Sequence, residues 1–180
     1  KALAAKAEWN TSSPKERIKL IRAFRKTIIH RMDDFIEVIC KETGKKRFEG
    51  MLEVFTSAEH MKHAEKLIAK IFRKHPRKVG TLITKKAWVE YEAMGIAGII
   101  SPWNYPLILT LTPVVEALAA GNPVILKPSE QTPLTTVLLK EVWDESTKKP
   151  DLLQTVYGGG DIGRMLVNTT TTDVICFTGS

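Results

Sequence analysis

The chain has 180 residues, 43% of them hydrophobic, so it can bury a core of ordinary size and does not belong to the disordered class. No apolar run approaches the ~20 residues that cross a bilayer, and the first residues lack an apolar signal segment, so we expect neither a membrane span nor secretion. The formal net charge is +7 at pH 7, but acidic residues interleave with the basic ones, which favours solvated helical faces over a nucleic-acid surface.

The N-terminal part, to about residue 75, is predicted to be helical. A capping-box sequence over residues 13–16 indicates the start of one helix, whose apolar positions recur at helical spacing: Ile18, Ile21, Phe24 and Ile28. A second helix is expected from Asp33 or Asp34 to Thr43, ending at Gly44. A third is expected over residues 47–72, with an apolar stripe formed by Leu52, Phe55, Ala58, Leu67 and Ile71.

Residues 79–94 interrupt the helical period with strand-type residues in partial alternation. These residues are Val79, Leu82, Ile83, Trp88, Val89 and Tyr91. The pattern predicts two strands joined by a turn near Thr84-Lys85-Lys86.

From Gly95 onward, strands and helices alternate. Strands are predicted near 96–100, 123–127, 152–157 and 173–177. Three helices are expected between these strands. The first starts at Pro113, with Thr112 as its cap and Gly121 after its end, and the second runs from Thr132-Pro133 to about Thr147. The third spans 161–167. This β-α-β-α-β-α-β order predicts an α/β fold with a doubly wound parallel sheet.

Cysteine and histidine spacing predicts no disulfide framework and no metal site. Only two cysteines are present, which favours a reducing, cytoplasmic location. Cys40 and Cys176 both fall in apolar stretches and are interpreted as inert core thiols. His60 and His63 form an H-x-x-H pair without further ligands nearby, so we interpret them as part of a solvated helix face.

Four polar or glycine-rich segments follow the predicted strands, at the edge where parallel sheets bind ligands. They are residues 101–106, 127–130, 158–163 and 177–180. The third contains Gly158-x-Gly160-x-x-Gly163, which matches a dinucleotide fingerprint or a flexible turn. Lys127 and Glu130 could form hydrogen bonds with ribose hydroxyls or form a surface ion pair. Asn104, between Pro102 and Pro106, suits an oxyanion donor or a turn residue.

Together these segments resemble the aldehyde dehydrogenase superfamily in order and spacing. The residues that carry the resemblance are 98–106, 118–122, 127–133 and 177–180. The resemblance implies that residues 1–78 are the N-terminal helical segment of the cofactor domain and that residues 79–94 are an oligomerisation arm. Residues 95–180 are then the first part of a Rossmann-like dinucleotide-binding domain, and the catalytic domain is absent.

The resemblance also implies roles for individual residues. The Asn104 amide would hold the oxyanion of a thiohemiacetal. Lys127 and Glu130 would contact the adenosine ribose, and Gly159 would line the adenine pocket. The remaining cofactor-binding residues are expected to be Ser101, Pro102, Trp103, Ser129, Gly179 and Ser180, the last two opening a helix under the pyrophosphate.

The implied activity is NAD(P)-dependent oxidation of a small aldehyde to a carboxylic acid through a cysteine thioester. NAD is expected as the cofactor, with NADP as the alternative, and a homodimer or homotetramer as the intact assembly. The family's nucleophilic cysteine and glutamate base follow the F-T-G-S segment, so the chain is expected to be an N-terminal fragment that is inactive alone. The alternatives are an acyl-reducing relative and a non-catalytic dinucleotide-binding or assembly module.

Overall fold

A computed structural model describes residues 1–81 and 84–179. Within them, helices α1–α4 precede a strand pair, and a parallel sheet with three further helices follows. The helices are α1 (Ala2–Asn10), α2 (Pro14–His30), α3 (Met32–Thr43), α4 (Arg47–Ile71), α5 (Ile108–Ala119), α6 (Pro133–Thr147) and α7 (Gly160–Asn168). The strands are β1 (His75–Arg77), β2 (Ala87–Val89), β3 (Ala97–Ile100), β4 (Val124–Lys127), β5 (Leu153–Thr155) and β6 (Val174–Phe177).

Local end signals place α2 and α3 as predicted. The Ser13 hydroxyl accepts a hydrogen bond from the Glu16 backbone N–H at 3.3 Å, and the Ser13 N–H donates to the Glu16 carboxylate at 2.7 Å. This reciprocal pair satisfies two N–H groups that a helix start would otherwise leave free. The end of α3 is marked by Gly44, whose φ of 71° lies in the left-handed region that favours glycine.

Helix α4 spans the expected residues, but the predicted apolar stripe is wrong. Leu52, Phe55, Leu67 and Ile71 are exposed, and only Ala58 of the predicted set is buried. The buried face instead mixes small, apolar and charged residues, including Val54, Met61, Ile68, Glu53 and Glu65. A prediction from hydrophobicity alone excludes the face that carries Glu53 and Glu65. That face is nevertheless buried because both carboxylates have ion-pair partners outside the helix.

The antiparallel strand pair is present, with its first strand earlier than residue 79. His75 pairs with Val89 and Arg77 pairs with Ala87. The Lys74 ammonium lies 4.5 Å from the centre of the Trp88 ring, and the His75 and Tyr91 rings meet edge to face at 5.7 Å. These cross-strand contacts favour pairing from residue 75 onward. Leu82 and Ile83, predicted as strand residues, lie outside the described residues.

The parallel sheet has the strand order β5-β4-β3-β6, and every neighbouring pair in it is parallel, as predicted. Helices cover both faces of β3. Ala97 and Ile99 join the core that contains α5 and α6 residues, whereas a Cβ atom at Gly98 would lie 3.4 Å from Leu166 of α7. The doubly wound prediction is therefore confirmed.

The strand order also fixes where a ligand can bind. The chain moves outward from β3 to β4 and β5 and then returns through α7 to place β6 on the other side of β3. This reversal is a topological switch point, and the loops leaving β3 and β6 separate there. The switch point opens a crevice at the carboxyl ends of these two strands.

Helix α5 begins five residues before the predicted Pro113, which lies inside the helix. The Glu53 carboxylate of α4 accepts hydrogen bonds from the N–H groups of Leu107 and Ile108 at 2.8 and 3.3 Å. A cap from another helix therefore replaces the local Thr112 cap. Gly121 follows the helix end, as predicted, with φ at 91°.

Three residue interpretations are corrected by their positions. Cys176 is exposed because β6 is an edge strand of the described sheet, whereas Cys40 is half-buried on α3. His60 is partly buried beside α5, with its Nε2 3.4 Å from a Glu116 carboxylate oxygen, so it is not simply on a solvated face. Arg17 is buried, although the charge pattern predicted a solvated helix. No helix in the described residues is long and apolar enough to span a membrane.

Candidate active site

A cleft of about 850 Å³ lies at the carboxyl ends of β3, β4 and β6, beside the start of α7. Its volume falls within the range of small-molecule sites in proteins. The lining residues are Ile100, Ser101, Pro102, Trp103, Asn104, Leu109, Lys127, Ser129, Glu130, Gly160, Gly163, Arg164, Val167, Phe177, Thr178 and Gly179. The cleft therefore brings together all four segments that follow strands.

Most residues named from the sequence line this cleft. Those that do are Ser101, Pro102, Trp103, Asn104, Lys127, Ser129, Glu130 and Gly179. Gly159 is not among the lining residues, although its neighbour Gly160 is. Ser180 lies outside the described residues.

The loop after β3 is fixed at its first residue. The Ser101 N–H donates to the Lys127 carbonyl at 3.2 Å, which extends the pairing of β3 with β4 by one residue. The Thr110 hydroxyl of α5 donates to the Ser101 hydroxyl at 2.7 Å, and both residues are buried. This pair ties the start of the loop to the helix that follows it.

Asn104 lies on the bend of this loop, with Pro102 before it and buried Pro106 after it. Its side chain is exposed, and its amide makes no hydrogen bond to any residue of 1–81 or 84–179. A carboxamide offers two N–H donors. Both are therefore available to an oxygen atom bound in the cleft.

Lys127 ends β4 with its side chain 5% exposed, and it is paired with the more exposed Glu130. Its ammonium donates to the Pro128 carbonyl at 3.0 Å and to Glu130 at 3.2 Å. An ammonium carries three protons, so one remains for a ligand. The backbone N–H of Glu130 and the Lys127 ammonium lower the pKa of the Glu130 carboxyl, which keeps it ionised at neutral pH. The pair thus presents one donor and one charged acceptor side by side.

Helix α7 contributes a group of cleft residues that the sequence analysis does not predict as a group. Gly160, Gly163, Arg164 and Val167 all line the cleft. Their spacing of three and four residues is that of one helical face, and this signal could have identified Arg164 and Val167. Arg164 adds a cation on the α7 wall of the cleft.

Neither cysteine is among the residues that line the cleft. Cys40 lies on α3, and Cys176 lies on β6 opposite Ile99 of β3. Within the described residues there is also no group of three or more His, Cys, Asp or Glu side chains that could hold a metal ion. The cleft as described is suited to binding and to hydrogen bonding.

Comparison with protein families gives a match over the full chain. The model of the aldehyde dehydrogenase family matches residues 1–180. A curated protein of Mycolicibacterium smegmatis, provisionally named succinate-semialdehyde dehydrogenase (NADP(+)), is 33% identical over 187 aligned positions, which cover 100% of this chain and 35% of the relative. The chain thus spans about a third of the length of the curated relatives it matches.

Solved structures give the same result at the level of the fold. An NAD-dependent benzaldehyde dehydrogenase from Corynebacterium glutamicum superposes with a TM-score of 0.89 at 31% identity, over 99% of this chain and 39% of that one. A betaine aldehyde dehydrogenase from Staphylococcus aureus, solved with NAD+, superposes with a TM-score of 0.90 at 25% identity, over 99% of this chain and 38% of that one.

Proposed function

The chain belongs to the aldehyde dehydrogenase family, and from this premise we propose that it forms the dinucleotide site and the oxyanion site of an enzyme that oxidises an aldehyde to a carboxylic acid. One observation carries the proposal. The Asn104 amide, which has no hydrogen-bond partner among residues 1–81 and 84–179, and the Lys127–Glu130 pair line the same cleft at a topological switch point. A group that stabilises a reacting oxygen and a pair suited to ribose hydroxyls therefore share one ligand space.

The Lys127–Glu130 pair suits an adenosine ribose because a diol can donate to the carboxylate and accept from the ammonium. The buried Lys127 side chain is held by two hydrogen bonds, so its remaining proton has a fixed direction. Ser101, Pro102, Trp103, Ser129 and Gly179 complete the proposed cofactor contacts. When bound, the nicotinamide accepts the hydride that leaves the substrate carbon.

Cofactor choice depends on two charges in the cleft. The ionised Glu130 disfavours a ribose 2′-phosphate, so we propose NAD as the cofactor. Arg164 lines the same cleft and would attract that phosphate, which keeps NADP as the second candidate. The ratio of kcat/KM for the two cofactors measures this balance, and Glu130→Gln should shift the ratio toward NADP.

The proposed role of Asn104 follows from where negative charge develops. A thiolate adds to the aldehyde carbon, and the carbonyl oxygen becomes an oxyanion that the Asn104 amide can hold. Hydride then leaves the carbon, the oxygen–carbon double bond re-forms as a thioester, and water hydrolyses the thioester to the acid and the free thiol. Neither Cys40 nor Cys176 lines the cleft, so we assign the thiolate and the base to the part of the relatives' length that this chain does not cover.

We further propose that residues 79–94, which include β2, form an oligomerisation arm, that β1 pairs with this arm from the preceding segment, and that the whole enzyme is a cytoplasmic homodimer or homotetramer. Residues 1–78 and 95–180 would flank this arm as the two parts of the cofactor domain. Trp88, Tyr91 and Met94 are exposed on the arm, where a partner subunit could cover them.

The test of the proposed function is an oxidation assay on the full-length enzyme. With NAD or NADP and a panel of aldehydes that includes benzaldehyde and succinate semialdehyde, reduced cofactor should form in amounts equal to the acid produced. Lys127→Ala should raise the KM for the cofactor by about tenfold or more while lowering kcat less. Cofactor reduction that requires no aldehyde, or turnover only from an acyl donor toward the aldehyde, would contradict the proposal.

A further inference from the structure

Helix α4 carries a buried carboxylate that the proposed chemistry does not use directly. The Glu53 side chain is fully buried, which is costly for a charged group unless each oxygen has partners. One oxygen accepts from the backbone N–H groups of Leu107 and Ile108, at 2.8 and 3.3 Å. The other accepts from the Lys45 ammonium at 2.8 Å. Both oxygens are therefore committed to fixed partners.

The two amides that Glu53 binds belong to the start of α5, three and four residues after Asn104. The first N–H groups of a helix have no partner within it, and the helix dipole favours a negative charge there. Since α5 lacks a side-chain cap of its own, Glu53 determines where the loop ends and the helix begins. The carboxylate thus fixes the downstream end of the Asn104 loop.

Lys45 holds the same loop at a second point. Its ammonium lies 3.6 Å from the centre of the Tyr105 ring, immediately next to Asn104. A cation over an aromatic ring is attracted to it, and the attraction is stronger when the cation is shielded from water, as Lys45 is with its side chain 15% exposed. One ammonium therefore joins Glu53 to the neighbour of Asn104.

We propose that Glu53 and Lys45 are positioning residues for Asn104, an inference that rests on the proposed function of that amide. The Ser101–Thr110 pair fixes the start of the loop, and the Glu53–Lys45 pair fixes its end and its middle. The Asn104 amide itself has no partner among the described residues, so its direction is set by the backbone that carries it. A displacement of about 1 Å at a reacting group can reduce the rate on the order of 100-fold.

The first measurement compares three variants of the full-length enzyme in steady-state kinetics. Glu53→Gln and Lys45→Met should each lower kcat by about 10- to 100-fold and leave the KM for the cofactor within about twofold, because Lys127 ends β4 and Glu130 lies on the turn after that strand. Lys45→Arg, which keeps a cation for both Glu53 and Tyr105, should recover most of the loss.

Glu65→Gln is the matched control. Glu65 lies on the same helix, is buried, and accepts from Arg22 and Arg25 at 2.9 and 2.7 Å, and within residues 1–81 and 84–179 no hydrogen bond or ion pair joins it to the Asn104 loop. It should lower the melting temperature while keeping kcat within about twofold. An equal loss of kcat in Glu65→Gln and Glu53→Gln would overturn the proposal by reducing it to general destabilisation.

A double variant separates positioning from independent effects. If Glu53 acts through Asn104, Glu53→Gln added to Asn104→Ala should lower kcat no further than Asn104→Ala alone. Additive losses, or a normal kcat in Glu53→Gln and Lys45→Met, would refute the positioning role and leave the function of Asn104 intact. A normal kcat in Asn104→Ala would instead refute both. If Glu53→Gln does not fold, the same comparison of kcat is made between Asn104→Ala and its double variant with Lys45→Met.

Discussion

Arg17 illustrates how one buried charge can join distant parts of this chain. Its guanidinium donates to the Ser12 hydroxyl and to the carbonyls of Asn10 and Ala119, and it lies 4.8 Å from the centre of the Phe72 ring. Burial lowers the pKa of Arg17, but a guanidinium stays protonated near neutral pH. The Ala119 carbonyl is at the end of α5, where the helix dipole favours a cation.

Removing this cation should destabilise the protein. Arg17→Ala leaves buried carbonyls without donors and removes packing against Phe72, so we expect the free energy of unfolding to fall by about 2–4 kcal/mol. Denaturant unfolding measures the change, and exposed Lys15→Ala on the same helix is the control. A loss below about 0.5 kcal/mol would show that water replaces the guanidinium without cost.

Asp173 makes stability depend on pH. Hydrogen bonds from the Lys6 ammonium and the Ile96 backbone N–H lower the pKa of the Asp173 carboxyl below its ordinary value of 3.8. A lowered pKa in the folded state stabilises the protein above the ordinary value, and this contribution is lost as the pH falls through the folded value. Asp173→Asn should therefore narrow the difference in unfolding free energy between neutral pH and about pH 3. An unchanged difference would argue against this contribution.

At the scale of elements, two helices begin at carboxylates supplied by other helices. Glu53 of α4 caps α5, and Glu42 of α3 accepts from the N–H groups of Leu134 and Thr135 and from the Thr135 hydroxyl at the start of α6. Thr132, at the cap position of α6, makes no side-chain cap bond. Carboxylates of the N-terminal helices α3 and α4 thus bind the first N–H groups of α6 and α5, which pack on the sheet.

The second of these caps gives a stability prediction. Glu42→Ala should lower the free energy of unfolding by about 1–2 kcal/mol, because it frees two helix N–H groups and removes a charge favoured by the dipole. Glu37→Ala, an exposed position on the same helix, should change it by less than about 0.5 kcal/mol. Equal effects of the two substitutions would contradict the capping role, and chemical denaturation of both variants distinguishes the cases.

The β1–β2 strand pair leads to a prediction about assembly. A two-stranded ribbon is marginally stable alone, and Trp88 is 48% exposed on it. If a partner subunit covers this ring, Trp88→Glu should shift the full-length enzyme to a smaller species in light scattering after size exclusion. Leu3→Glu, at a 64% exposed apolar residue of α1, is the control and should leave the mass unchanged. An unchanged mass for Trp88→Glu would remove this ring from the proposed interface.

The elements that sequence reasoning located well carry their signals locally. The Ser13 box, Gly44 and the apolar stretches that became β3, β4 and β6 all mark structure within a few residues. The start of α5 and the buried face of α4 could not be found in this way because both depend on Glu53, whose partners Leu107 and Ile108 are 54 and 55 residues away. A cap from another helix overrides the local Thr112-Pro113 signal at the start of α5, and buried ion pairs override the hydrophobic pattern of α4.

At the scale of the whole molecule, the candidate site follows from topology. The return of the chain to β6 opens the crevice between the loops after β3 and β6, so Asn104, Lys127 and Glu130 were predictable as residues just past or within strand ends. Glycines and strand ends do not predict Arg164 and Val167, because these two residues line the cleft only through the face that α7 presents to it. Cys176 is exposed, contrary to the prediction of a core thiol, because the apolar strand β6 is at the edge of the described sheet.

The two proposed functions of the cleft, stabilising an oxyanion and binding the cofactor ribose, belong to residues at the ends of two different strands. Asn104 lies on the loop after β3, whereas Lys127 ends β4 and Glu130 lies on the turn after it. The proposed oxyanion donor acts only when charge develops on the substrate oxygen, so it should affect the transition state more than the bound ground state. The ribose contacts should affect cofactor binding in every state.

The oxyanion role of Asn104 is tested by steady-state kinetics, cofactor binding and thermal melting of Asn104→Ala in the full-length enzyme. We expect a fall in kcat on the order of 10²–10³ with cofactor affinity and melting temperature nearly unchanged. A normal kcat would contradict it. So would a loss of rate that is matched by a collapse of cofactor binding and melting temperature, because Asn104 would then only shape the turn.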